Sequence, residues 1–120
     1  MRDVRQIVGP EMLVGVSTHS ISQARAAVLD GASYIGCGPT FRSTTKSFDA
    51  FAGLEFLREV AAEIGLPAFA IGGIDAMNVR LVVDAGLQRV AVAGAVWNAT
   101  APVVAAQELK RLLVGSRAVE

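Results

Sequence analysis

The chain holds one cysteine, Cys37, so it cannot close an internal disulfide, and such usage fits a reducing compartment. It holds one histidine, His19, and no run of His, Cys, Asp or Glu at metal-ligand spacing, which argues against a metal centre built from these residues. Charge is scarce as well: only 18% of the residues are charged, and 11 basic side chains cancel 11 acidic ones. With no Lys/Arg cluster, neither nucleic acid nor an anionic membrane is expected as a partner. No apolar run reaches the roughly 18 residues of a membrane span. The first residues, Met1-Arg2-Asp3-Val4-Arg5-Gln6, carry charge where a secretory signal needs an apolar stretch, so the expected location is the cytoplasm. Without a Ser/Gly linker or low-complexity stretch, residues 1–120 are expected to form a single domain.

What is abundant is apolar residue, 52% of the 120. That excess suits strands buried on both faces, as in parallel sheets. Short β-rich runs alternate with amphipathic segments, and glycine marks most junctions. Asp3 with Gln6 predicts a short first helix ended by Gly9-Pro10. Met12–Val16 predicts a strand. Ser20 with Gln23 forms a capping-box pattern that opens a helix carrying Ile21, Ala24 and Val28, ended by Gly31. Tyr34–Cys37 predicts a second strand, and a polar loop follows to about Asp49. Leu54, Leu57, Ala61 and Ile64 keep helical spacing until Gly65 and Pro67. Ala68–Ile71 predicts a third strand running into Gly72-Gly73. Asp75 is placed to cap a helix through Val79, Val82 and Val83 to Gly86. Arg89–Val92 predicts the last strand, and Thr100 with Pro102 opens a final helix holding Val103, Leu109, Leu112 and Leu113.

One design occurs twice. Residues 27–35 and 82–90 both run from a helix end through Gly and a short loop into a strand. Four strands alternating with helices predict an α/β fold with a parallel sheet. Periodicity leaves two architectures open, a small open sheet or part of a barrel. A whole (β/α)8 barrel takes at least about 200 residues, so the second would be about half of one.

In either architecture the segments just after the strands form the functional face. Gly72-Gly73 and Ala93-Gly94 have the character of phosphate loops, because glycine lets backbone N–H groups approach an anion at a helix start. The same glycines also suit plain tight turns. Between Gly38 and Lys46 the loop offers three consecutive hydroxyls, Ser43, Thr44 and Thr45, followed by the compact charge of Lys46. Alone, such a run is more often a solvated loop, and its place after a strand beside a possible phosphate site brings the two readings level. Ser17 and His19 lack an obvious carboxylate to orient the imidazole, so a nucleophile–base pair is disfavoured. Ser17 is expected to contact a ligand and His19 to cap or pack. Cys37 is expected in the core, and Trp97 is expected to pack in the turn after the last strand.

Gly15-Val16-Ser17-Thr18-His19-Ser20, the segment Gly36–Lys46, Ala70-Ile71-Gly72-Gly73-Ile74 and Arg89-Val90-Ala91-Val92 together resemble the thiamine-phosphate synthase family in order and spacing. The likeness covers nearly all of residues 3–114 and starts at the family's fifth barrel strand. It implies the C-terminal half, strands 5–8, of a (β/α)8 TIM barrel whose N-terminal half is absent from this chain. It also implies a transferase of thiamine biosynthesis. In that family a hydroxymethylpyrimidine diphosphate loses pyrophosphate with the help of Mg2+, and the nitrogen of a thiazole phosphate attacks the resulting cation. By resemblance, Ser43, Thr44, Thr45, Gly73, Ala93 and Gly94 hold the thiazole phosphate, while Ser17 and Lys46 face the diphosphate as the catalytic pair. Fixed charge and donors at a departing pyrophosphate agree with this placement.

The chain departs from the family at Arg42, usually Pro, at Ser43, often Thr, and at Gly94, commonly Ser. The family's diphosphate-binding Gln-x-Arg-x-Lys segment, its Asn-Asp pair and a further Mg2+-binding Asp all precede the matched region. The Mg2+ ligands and most of the pyrimidine pocket are therefore expected outside this chain. Two other readings stay open. One is the related thiazole tautomerase, which uses a histidine near the position of His19, although Gly38-Pro39 and Thr45-Lys46 look more like the synthase. The other is a non-catalytic phosphate-binding half-barrel. Either way, unpaired sheet edges and an apolar inner face predict self-association or a complementary half-barrel.

Overall fold

The computed structural model describes residues 2–41 and 47–118. Elements follow one another as α1 (Arg2–Val8), β1 (Gly15–Thr18), α2 (Ile21–Leu29), β2 (Tyr34–Cys37), α3 (Ser47–Glu63), β3 (Ala68–Ile71), α4 (Val79–Ala85), β4 (Val90–Ala91), α5 (Gly94–Trp97) and α6 (Pro102–Ala118). The strands pair in parallel in the order β1-β2-β3-β4. A sheet whose spatial order repeats its chain order is wound in one direction, and helical crossovers of one hand then fall on one face. The four described strands show no reversal of direction of the kind that doubly wound sheets contain.

Side chains on the two faces meet different fates. Thr18, Ile35, Cys37, Ala68 and Ala70 point to the helical side and are buried. There they meet Ala24 and Ala27 from α2, Leu54, Leu57 and Val60 from α3, Val79, Val82 and Ala85 from α4, and Leu109 from α6. Burial of the leucine, isoleucine and valine side chains among them, each worth about 1.5–3 kcal/mol when complete, is the main stabilising term. The residues between them, Gly15, Ser17, Tyr34, Gly36, Phe69 and Ile71, lie on the opposite face and stay exposed or half-buried. Tyr34 and Phe69 meet edge to face there, with ring centroids 5.7 Å apart and planes at 76°.

Several ends follow the sequence signals. The Ser20 side chain accepts from the Gln23 backbone N–H and caps α2. Gly31 follows the helix with φ 89°, and Gly86 ends α4 with φ 112°. Other boundaries shift. Predicted as Met12–Val16, β1 runs from Gly15 to Thr18, because Met12 and Leu13 lie exposed before it. The Met12 carbonyl is tied to Arg5 instead, whose guanidinium also donates to the carbonyls of Gly9 and Gly31. The last strand shortens from Arg89–Val92 to Val90–Ala91, since only Ala70↔Val90 and Ile71↔Ala91 find partners. Asp75 caps a turn rather than a helix. Its carboxylate accepts from the N–H groups of Met77 and Asn78, and α4 starts at Val79. Trp97, expected to pack, is 86% exposed on α5. Among the described residues no helix is long and apolar enough to cross a membrane.

Candidate functional site

All four strands end on one edge of the sheet, and the loops that leave them lie side by side. The loops after β3 and β4 enclose a cleft of about 500 Å3 lined by residues 71–75 and 91–95. Gly72 and Gly73 form one wall with φ 107° and 66°, the left-handed region that favours glycine. Ala93 and Gly94 form the other. Gly94 and Ala95 begin α5, and the first N–H groups of a helix have no acceptor within it, so they remain available to an anion. Gly73, Ala93 and Gly94, the three backbone positions singled out by sequence, thus share one cleft.

A second hollow of about 640 Å3 covers the open face of the sheet and is predominantly apolar. Ser17 lines it together with Gly15, Tyr34, Gly36 and Phe69. Ile71 and Ala91 line both cavities, so the cleft and the hollow adjoin at the ends of β3 and β4. The arrangement offers polar backbone at one end and an apolar floor beside it, which suits a small molecule carrying one anionic group on an apolar body. Ser17 faces that floor rather than the glycine cleft. Arg42, Ser43, Thr44, Thr45 and Lys46 lie outside the described residues.

Two side chains that sequence reasoning underrated hold the loops. Asn78 donates through Nδ2 to the Gly73 carbonyl at 2.9 Å and accepts from the Asp75 N–H at 2.9 Å, so it braces the glycine wall. Its signal was present: Asp75 and Asn78 stand three residues apart, the spacing of reciprocal side-chain-to-backbone bonds at a helix start. His19 neither packs in the core nor caps α2. It is exposed, and its Nδ1 lies 2.7 Å from the carbonyl of Gly38 on the neighbouring loop.

Cys37 sits fully buried beneath this edge. Burial pushes its thiol pKa upward, partly opposed by a hydrogen bond from the Thr18 side chain. Full burial and a raised pKa both disfavour an accessible thiolate, so Cys37 reads as a core residue rather than a nucleophile. Among the described residues there is no group of three or more His, Cys, Asp and Glu that could hold a metal ion.

Comparison with known proteins gives a consistent result. The family model of thiamine monophosphate synthase matches residues 1–96. The chain is 57% identical over 97 residues to the thiamine-phosphate synthase of Rhodopirellula baltica, an overlap of 77% of this chain and 26% of that protein. It is 44% identical over 98 residues to the thiamine-phosphate synthase of Gloeobacter violaceus, covering 82% of this chain and 29% of the other. Its fold matches thiamine phosphate pyrophosphorylase from Pyrococcus furiosus with a TM-score of 0.84 and 33% identity, over 96% of this chain and 55% of that one. The chain therefore spans less than a third of these two curated relatives and about half of the solved one.

Proposed function

The chain belongs to the thiamine monophosphate synthase family, and from that premise we propose that it supplies the thiazole-phosphate side of a thiamine-phosphate synthase. The reaction would join hydroxymethylpyrimidine diphosphate to thiazole phosphate and release pyrophosphate. The observation that carries this reading is the glycine cleft, where Gly73, Ala93 and Gly94 meet beside an apolar floor. In this reading the cleft's backbone N–H groups hold the thiazole phosphate and the ring lies against the open face. Ser43, Thr44 and Thr45 add hydroxyl donors, and Ser17 and Lys46 turn toward the pyrimidine diphosphate. Donors fixed where charge develops on the departing pyrophosphate stabilise it without reorganising.

Mg2+, which the family's chemistry implies, finds no cluster of carboxylates among the described residues. The Asp75 carboxylate is committed to backbone N–H groups. The described residues do not fit the ion.

The architecture is read as strands 5–8 of a (β/α)8 barrel. Its support is the one-directional strand order, helices on one face and an apolar opposite face, all features of a barrel wall. In this reading another copy or a complementary half-barrel covers the open face, and the protein works in the cytoplasm.

Calorimetric titration of the chain tests the binding claim. Thiazole phosphate should bind at least about tenfold more tightly than the unphosphorylated thiazole alcohol, since charge-assisted bonds to the phosphate are lost with it. Equal affinities would sink the phosphate reading. Failure to form thiamine phosphate from both substrates, once the chain is combined with an N-terminal half and Mg2+, would sink the synthase reading.

A further inference from the structure

Hydrogen bonds cross the site from β1 to β3 through three successive loops, and His19 makes the first. Its Nδ1 stands 2.7 Å from the Gly38 carbonyl oxygen. A carbonyl only accepts, so Nδ1 carries the hydrogen and donates. The His19 backbone is itself anchored, because its N–H donates to Gln23 Oε1 at 2.7 Å at the start of the capped helix α2. Gly38 also donates its N–H to the Thr18 carbonyl at 3.2 Å, so both polar groups of that residue are engaged.

From there the loop after β2 is joined to the loop after β3. Thr40 donates its N–H to the Ile71 carbonyl at 2.9 Å, and its hydroxyl reaches the same oxygen at 3.1 Å. Phe41 donates its N–H to the Gly72 carbonyl at 2.9 Å. These contacts leave no slack: a Cβ on Gly72 would lie 3.0 Å from the Pro39 Cα, and one on Gly73 would lie 2.7 Å from the Phe41 carbonyl oxygen. The glycine wall of the cleft thus rests on residues 39–41, whose approach is set at Gly38.

We propose that His19 is a positioning residue for the anion cleft, holding the Gly38 carbonyl so that the loop after β2 supports Gly72 and Gly73. Its ligand readout rests on the phosphate reading above, whereas its effect on the loop does not. The wild type, His19→Ala and His19→Asn separate the possibilities. Asparagine can donate from nearly the place of Nδ1 but cannot shuttle a proton as imidazole does.

Two measurements on the full chain decide it: amide hydrogen exchange at Thr40 and Phe41, and titration with inorganic phosphate followed through the amide shifts of Gly73 and Gly94. His19→Ala should speed exchange at both amides by about tenfold and weaken phosphate binding by a similar factor, the scale of one lost hydrogen bond. His19→Asn should stay within about twofold of the wild type on both counts, because the donor is restored. Unchanged exchange in His19→Ala, or an Asn variant as impaired as the Ala variant, overturns the proposal. An absence of phosphate-induced shifts in the wild type overturns the cleft as an anion site and leaves exchange to decide the role of His19.

Discussion

Gly73 has a backbone conformation few other residues adopt, φ 66°, and a backbone neighbour that cannot swing aside. Gly73→Ala should therefore cost about 1–3 kcal/mol, the scale of a strained left-handed residue, and be read as a lower urea midpoint. Gly36 is the control. Nothing lies within 4 Å of a Cβ built there, so Gly36→Ala should stay within about 1 kcal/mol of the parent. The buried thiol of Cys37 yields a second expectation at this scale. With its pKa raised by burial, native Cys37 should react with iodoacetamide at pH 8 at least about tenfold more slowly than the urea-unfolded chain. The sign for stability follows: the neutral thiol contributes below the ordinary thiol range, and the contribution fades as pH rises through the raised value. Fast alkylation of the folded chain would show the site opens more readily than its packing implies. Composition and neighbours made the burial of Cys37 legible, but they misplaced Trp97. An apolar side chain in a four-residue helix can face either way, and sequence carries no record of which side is covered.

All four strands and every helix except α5, which was expected as a turn, were legible, whereas several of their edges were not. Tyr34–Cys37 and Ala68–Ile71 match the structure residue for residue, because each is a short apolar run closed by glycine or proline. β1 slipped because Met12 and Leu13 are as apolar as a strand but have no partner opposite. Pairing begins only at Gly15↔Tyr34, a fact of the neighbouring strand. Helix faces drifted similarly. In α2 the buried residues are Ala24 and Ala27, while Val28 is 43% exposed. The turn before α4 shows how one polar residue serves two elements. Asn78→Ala removes the donor to the Gly73 carbonyl and the acceptor of the Asp75 N–H. We expect a loss of about 1–2 kcal/mol in stability and a weaker phosphate affinity, measured by urea unfolding and by titration. Asn78→Asp keeps the acceptor and loses the donor, so it should recover part of the stability but little of the affinity. Equal affinity in all three would detach the brace from the cleft.

For the whole molecule, a repeated αβ unit was enough to foresee a parallel sheet, yet it could not say whether the strand order would reverse. That order depends on which edge each new strand joins, a choice made by packing among distant segments. Among the described residues, the hollow on one sheet face is lined by strand and loop residues and by no helix, and this sets the last expectation. Tyr34, Phe69, Ile71 and Ala91 line the open hollow of about 640 Å3, and both Tyr34 and Ile71 are more than a third exposed. β1 and β4 each present an edge with no described strand beyond it. Apolar area and free edges on one body favour association when concentration allows. Sedimentation of the chain should therefore show mass rising above that of the 12.5 kDa monomer as concentration rises through roughly 10–100 μM, the affinity range of a modest interface. Ile71→Lys puts a charge on that face while leaving the helical core untouched. It should shift the association at least about tenfold to higher concentration, since a buried unpaired charge opposes it, with the circular dichroism unchanged. Equal association in both chains would place the contact elsewhere. A wild-type monomer at every concentration would show that water tolerates the open face, which removes the main physical reason to expect a covering partner.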